Sequence, residues 1–220
     1  MATTRSFVFI GCVELREILG RRAQDERELM EALAQIPLGS IYYHTHSVFL
    51  RHPRISGAYP NDFATWVATQ VRDQPLAERL AVVDPFQFVT LEELRNELVA
   101  IIDEHVAAMH TVPRVLFGNP LSFIQSHLIE VATGFEARTL EDFRRCVADV
   151  DQSALYLHAL HSRVARRVHG GDFARWIAED QGRPALAEAI AHMNPYLGGL
   201  ERMRQETLRL LDAELGQEAA

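Results

Sequence analysis

Two short sets of residues in this 220-residue chain could do chemistry, and they are nearly the same set. Tyr42-x-His44 is followed by Asp62-Phe63-Ala64 and Trp66; Tyr156-x-His158 is followed by Asp172-Phe173-Ala174 and Trp176. Imidazole titrates near neutral pH and is the commonest neutral metal ligand. His44, His46, His158 and His161 with Asp62 and Asp172 could therefore build a metal-dependent site for iron or zinc, or an acid–base pair. Spacing restricts the metal option: on a helix His44 and His46 point about 200° apart, whereas His158 and His161, three apart, can share an ion. The competing reading is structural. Asp62 and Asp172 cap helices, Phe63 and Trp66 lie one turn apart on a buried face, and the imidazole packs on the indole while bonded to a carboxylate or carbonyl. A duplicated fold needs its packing twice and rarely its active site twice, which favours the structural reading.

A second feature is basic. Arg51, His52 and Arg54 follow the first histidine segment, and Arg163, Arg166, Arg167 and His169 follow the second. On a chain of formal charge −8 such a patch could hold a phosphate, a carboxylate or an acidic partner. It could equally pair with neighbouring Asp and Glu. Other chemistries lack their motifs: there is no HExxH, no pair of Glu-x-x-His motifs, no Gly-x-Ser-x-Gly elbow and no phosphate-loop context for Gly170-Gly171 or Gly198-Gly199. Glu188 and His192 are four apart, but their counterparts are Glu78 and Val82, and His192 reads as an exposed polar residue. No nucleotide site is indicated, and the sequence leaves the cofactor open.

The elements that must position these groups are written twice. An offset of 114 lays Phe9-Ile10 on Phe123-Ile124, Gly20 on Gly134, Ala23 on Ala137 and His44 on His158. After a loss of four residues, an offset of 110 lays Asp62, Trp66, Leu76 and Pro85 on Asp172, Trp176, Leu186 and Pro195. One further shift lays Leu91 on Leu200. Ordered matches over almost the whole chain mark a structural unit used twice. They predict an all-α protein of two pseudo-twofold-related repeats, 1–112 and 113–220, with about six helices each. Asn119-Pro120 and Gly134 read as the start and stop of a helix over Pro120–Thr133, with Phe7–Leu19 its counterpart, although Phe7-Val8-Phe9-Ile10 alone passes for a strand. Asp25, Thr90 and Thr139 open further helices, Ser40 and Ser153 cap the histidine segments, and the loop at His52–Asn61 shortens to His169–Gly171 in the second copy.

The hydrophobic fraction of 48% suffices for a core, and no apolar run is long enough for a membrane span. The acidic balance argues against nucleic acid. Cys12 and Cys146 occupy non-equivalent slots, which suits neither a disulfide framework nor zinc and fits a reducing cytoplasm. The apolar run before Cys12 is too short for a signal core.

Several stretches carry a resemblance: Cys12-x-Glu14-Leu15-Arg16 through Gly20-Arg21-Arg22-Ala23, Ser40-Ile41-Tyr42-Tyr43-His44-Thr45-His46, and Asn61-Asp62-Phe63-Ala64-x-Trp66 with Leu76-Ala77-Glu78-Arg79-Leu80. In the second half Tyr156-x-His158 precedes Gly171-Asp172-Phe173-x-x-Trp176. Over most of its length the chain is similar to an uncharacterised prokaryotic family of unknown function. The resemblance implies a fold relationship and brings no activity or catalytic residue. The expected function is a non-catalytic interaction or ligand-sensing module with a protein partner or a small anionic ligand, and possible self-association; the alternative is the metal-dependent helical enzyme.

Overall fold

The computed structural model describes residues 5–52, 59–109 and 118–218. It corrects the all-α expectation. The first element of each copy is a 17-residue strand, β1 (Phe7–Ala23) and β2 (Leu121–Ala137), and the two pair as an antiparallel ribbon. Phe7 and Phe9 are buried on one face with Val8 exposed between them, as are Leu121 and Phe123 around Ser122. That period of two is the signature of a half-buried strand. Gly20 and Gly134, expected as helix stops, instead lie inside the strands at φ +70° and +79°, a conformation that only glycine enters cheaply.

Among the described residues, the remaining elements of each copy are helical. In the first they are α1 (Glu26–Leu33), α2 (Leu38–Thr45), α3 (Val48–Arg51), α4 (Asp62–Trp66) running into a π-helical turn (Val67–Val71), α5 (Gln74–Ala81), and α6 (Leu91–Ala107). In the second they are α7 (Leu140–Asp149), α8 (Gln152–Leu155) running into a π-helical turn (Tyr156–His161), α9 (Ser162–Ala165), α10 (Gly171–Glu179), α11 (Pro184–Ala191) and α12 (Gly199–Glu218). Their starts follow from side-chain caps. Asp25 accepts from the Glu28 N–H, Thr139 accepts from that of Asp142, and Thr90 with Glu93 forms a full capping box. Ser40 and Ser153 do not cap: Pro37 holds the cap position of α2, and Asp151 caps α8.

The chain forms two compact units, and each draws on both copies. The first lobe comprises Glu14–Val48 and Gly57–His127; the second comprises Met1–Val13, Phe49–Ser56 and Leu128–Ala220. Each strand is thus divided near its middle. The core of the first lobe gathers Leu29, Leu33, Ile41, Phe63, Leu76, Leu80, Leu98 and Ile102 of the first copy around Leu121 and Phe123 of the second. In the second lobe, Phe7 and Phe9 of the first copy pack on Phe143 and Phe173, with ring centroids 5.3–5.9 Å apart across these pairs. A two-stranded ribbon is marginal by itself in water; here the apolar face of each strand's first half is buried under helices that the other copy encodes.

No helix among the described residues is long and apolar enough to cross a membrane. Cys12 and Cys146 are both buried thiols that form no disulfide among the described residues, and burial pushes the Cys146 thiol up.

Candidate functional site

The repeated residues converge, in each lobe, on the strand brought from the other copy. In the first lobe His44 Nδ1 lies 2.9 Å from Asp62 Oδ2, and its Nε2 accepts the Ile124 main-chain N–H at 3.2 Å. In the second, His158 Nδ1 lies 3.0 Å from Asp172 Oδ2, and its Nε2 accepts the Ile10 N–H at 2.9 Å. A ring nitrogen that accepts from an amide carries no proton, so the proton sits on Nδ1 and is donated to the carboxylate. Both nitrogens of each ring are therefore committed to the protein. The indoles complete the arrangement: Trp66 Nε1 donates to the Asn119 carbonyl, two residues before β2, and Trp176 Nε1 donates to the Arg5 carbonyl, two residues before β1. The imidazole thus satisfies an outward-facing donor of the ribbon, a group that would otherwise template pairing with another chain.

Several expectations change in detail. Asp62 and Asp172 do not cap helices. Asn61 caps α4 by accepting from the Ala64 N–H, and α10 starts from Gly170, which leaves both carboxylates inside the first turn and aimed at the histidines. The imidazoles pack on phenylalanine, not indole: His44 on Phe63 at 5.2 Å, His158 on Phe173 at 5.6 Å and Phe7 at 4.8 Å. Tyr42 stacks on His46 at 4.9 Å, and Tyr156 on His161 at 6.3 Å. Burial, with the Arg166 charge, depresses the proton affinity of His161.

Metal binding, expected as a possibility at His158 and His161, is overturned. Among the described residues no three His, Cys, Asp or Glu side chains are grouped to hold an ion, and His158 has no lone pair left to offer in this arrangement.

The two pairs are not equal. They differ in exposure, 25% for the Asp62 side chain against 2% for that of Asp172, and Asp172, besides facing His158, accepts from Arg166 at 2.9 Å and Arg175 at 3.1 Å. Burial alone would push the Asp172 carboxyl up; the His158 hydrogen bond and the two guanidinium charges outweigh it and hold the group below the usual carboxylate range. The histidine segment also approaches Gly171 closely. A Cβ there would lie 2.6 Å from the His158 carbonyl oxygen, at φ +85°. Gly171→Ala is expected to cost about 2 kcal/mol or more through strain and displacement of that carbonyl, measurable by chemical denaturation; an unchanged midpoint would refute this contact.

The predicted basic patch disperses. Arg163 donates to the Ala191 carbonyl at 3.2 Å, and Arg166 bridges Asp172 and Glu130. Arg51 is half-buried at the end of α3; Arg54, with most of its loop, lies outside the described residues. Arg167 differs from these: it is exposed, at φ +52°, and forms no ion pair with the described residues. With His169 and Arg175 it lines a groove of about 440 Å³ along α10 and α11, floored by Ala174, Ala187 and Ala191.

Sequence reasoning passed over one buried acid, Glu26. Its only signal was that the duplicate carries Leu140 in that slot.

Against known proteins, a model described as "Family of unknown function (DUF5752)" matches residues 4–212. No curated protein matches. Among solved structures the chain is similar to "The structure of OrfY from Thermoproteus tenax", with 28% identity, a TM-score of 0.79 and 96% of each chain covered.

Proposed function

This chain belongs to the DUF5752 family of unknown function, and within that family we propose that it is a binding module without chemistry of its own, its contact surface the groove along α10 and α11. The observation that carries the reading is the presentation of Arg167 and His169. Both are exposed at the rim of the groove, on the segment that leads into Gly170 and Gly171, and Arg167 stands in a left-handed backbone conformation. Such a conformation costs of order 1 kcal/mol or more and persists where surrounding structure imposes it. Two cationic or donor side chains at the rim of an apolar floor suit the head of a small phosphate or carboxylate ligand. Glu179 and Glu188, also on the groove wall, favour a ligand body that carries hydrogen-bond donors. The first lobe has Thr65 and Thr69 in the slots of Arg175 and Glu179, so the charged rim is a property of the second copy.

The non-catalytic part of the reading is supported by the histidines. The repeated set, which alone in the sequence resembled catalytic machinery, is consumed in holding strands. Thermal unfolding with inorganic phosphate, sulfate and citrate tests the proposal. At least one anion is expected to raise the wild-type midpoint, by about 2.7 kcal/mol of added stability at a hundredfold excess over its dissociation constant. The Arg167→Ala/His169→Ala variant is expected to lose that gain. No rise with any anion, or an equal rise in the variant, would contradict the site.

A further inference from the structure

Glu26 opens α1, yet the residue is wholly inaccessible to solvent and neither carboxylate oxygen has a hydrogen-bond partner among the described residues. An isolated ionised carboxylate in such surroundings costs far more than the fold could tolerate, and a group so placed holds its proton instead. Three helix ends meet around it. Glu26 lies in the first turn of α1. Asp73 caps α5, accepting the Leu76 N–H through Oδ1. His105, in the last turn of α6, lies with Nε2 2.7 Å from Asp73 Oδ2. The charged and titratable groups acting on Glu26 are Asp73 from α5, His105 from α6, and Asp25, the cap of its own helix. Burial pushes its carboxyl up, and Asp73 and Asp25 add to this; its own amide and His105 act in the opposite direction.

The second lobe shows that packing does not require an acid here. The equivalent slots hold Leu140, buried, and Arg183 with Glu214, an ion pair at 3.3 Å. The duplicate closes the same three helix ends with a hydrocarbon beside a fixed pair of charges. The first lobe closes them with an acid that has no hydrogen-bond partner among the described residues, beside an Asp–His pair.

We propose that Glu26, beside the Asp73–His105 pair, is a proton-operated switch in the first lobe: protonated, it lets α1 seat against α6, and release of its proton loosens α1 from the ends of α5 and α6. A group raised in the folded state contributes stability that is complete below its ordinary value of 4.5 and is lost as pH rises through the folded value.

The test compares wild type, Glu26→Gln and Glu26→Leu, the last carrying the duplicate's own residue, by thermal unfolding and hydrogen exchange from mildly acidic to alkaline pH. The wild-type midpoint is expected to fall relative to both variants as pH rises and then to level off. Protection of the amides in residues 26–33, corrected for the intrinsic rise of exchange with pH, should fall in the wild type alone. The infrared band of a protonated carboxyl should be present in the wild type on the acidic side and missing from both variants. Should one variant fail to fold, the other carries the comparison. Parallel midpoint curves for wild type and variants, or variants less stable than wild type on the alkaline side, would overturn the switch.

Discussion

Phe123→Ala will loosen helices that precede it in the chain. The side chain is fully buried in the first-lobe core, and emptying such a site costs about 3–5 kcal/mol through lost transfer energy and the cavity left behind. Hydrogen exchange should therefore rise across residues 26–48 and 59–107, while residues 140–215 remain closer to wild type. Phe9→Ala should do the converse, because Phe9, also fully buried, packs on Phe143 and Phe173 in the second lobe. A simple tandem arrangement, with each strand serving its own copy, makes the opposite forecast for both variants. Exchange that rises in residues 140–215 for Phe123→Ala would refute the exchanged strands.

The second large effect concerns Asp172. Asp172→Asn leaves His158 facing an amide and strips Arg166 and Arg175 of a buried acceptor. Removing one partner of a buried charge cluster typically costs about 3–5 kcal/mol. Asp62→Asn, at a partly exposed site, should cost about 1–2 kcal/mol. The pH dependence has a definite sign. The folded state holds the Asp172 carboxyl below its ordinary value of 3.8, so its contribution is present above that value and is lost as pH falls through the folded one. The wild type should lose stability on that acid limb and Asp172→Asn should not lose this component. Denaturant titrations at several pH values check both statements. An unchanged acid limb would count against the ion pairs of Asp172 with Arg166 and Arg175.

Much of the architecture was legible from residues. The duplication is visible because equivalent slots keep the same residue types, and caps such as Asp25, Thr90 and Thr139 announce helix starts through short polar side chains that accept free N–H groups. The strands were obscured by signals of equal local strength. Asn119-Pro120 followed by Gly134 reads as helix punctuation, and only the alternation at Phe7-Val8-Phe9 pointed to a strand. Which helices each strand covers could not be read, because Phe9-Ile10 and Phe123-Ile124 are interchangeable residue types that fit either core.

The site divides in the same way. His44 and His158 with their aspartates were identifiable from the repeat, and a carboxylate partner was among the bonds expected of them. The second bond, to the Ile124 or Ile10 amide, depends on a strand distant in sequence and leaves no local trace. Arg167 was named with its neighbours, but its isolation from them arises from tertiary pairing of Arg166 with Asp172 and Glu130. Glu26 escaped notice because a Glu in the first turn of a helix is ordinary and favourable on a surface; burial by three helix ends is what makes it unusual.

The repeated histidines fasten the strands, with both ring nitrogens engaged. The most direct measurement is a nitrogen-15 spectrum of the imidazoles that detects coupling across the hydrogen bonds. His44 and His158 should both be neutral rings protonated on Nδ1, with Nε2 of His158 coupled to the Ile10 amide nitrogen and Nε2 of His44 coupled to that of Ile124. Nε2-protonated rings without those couplings would contradict it.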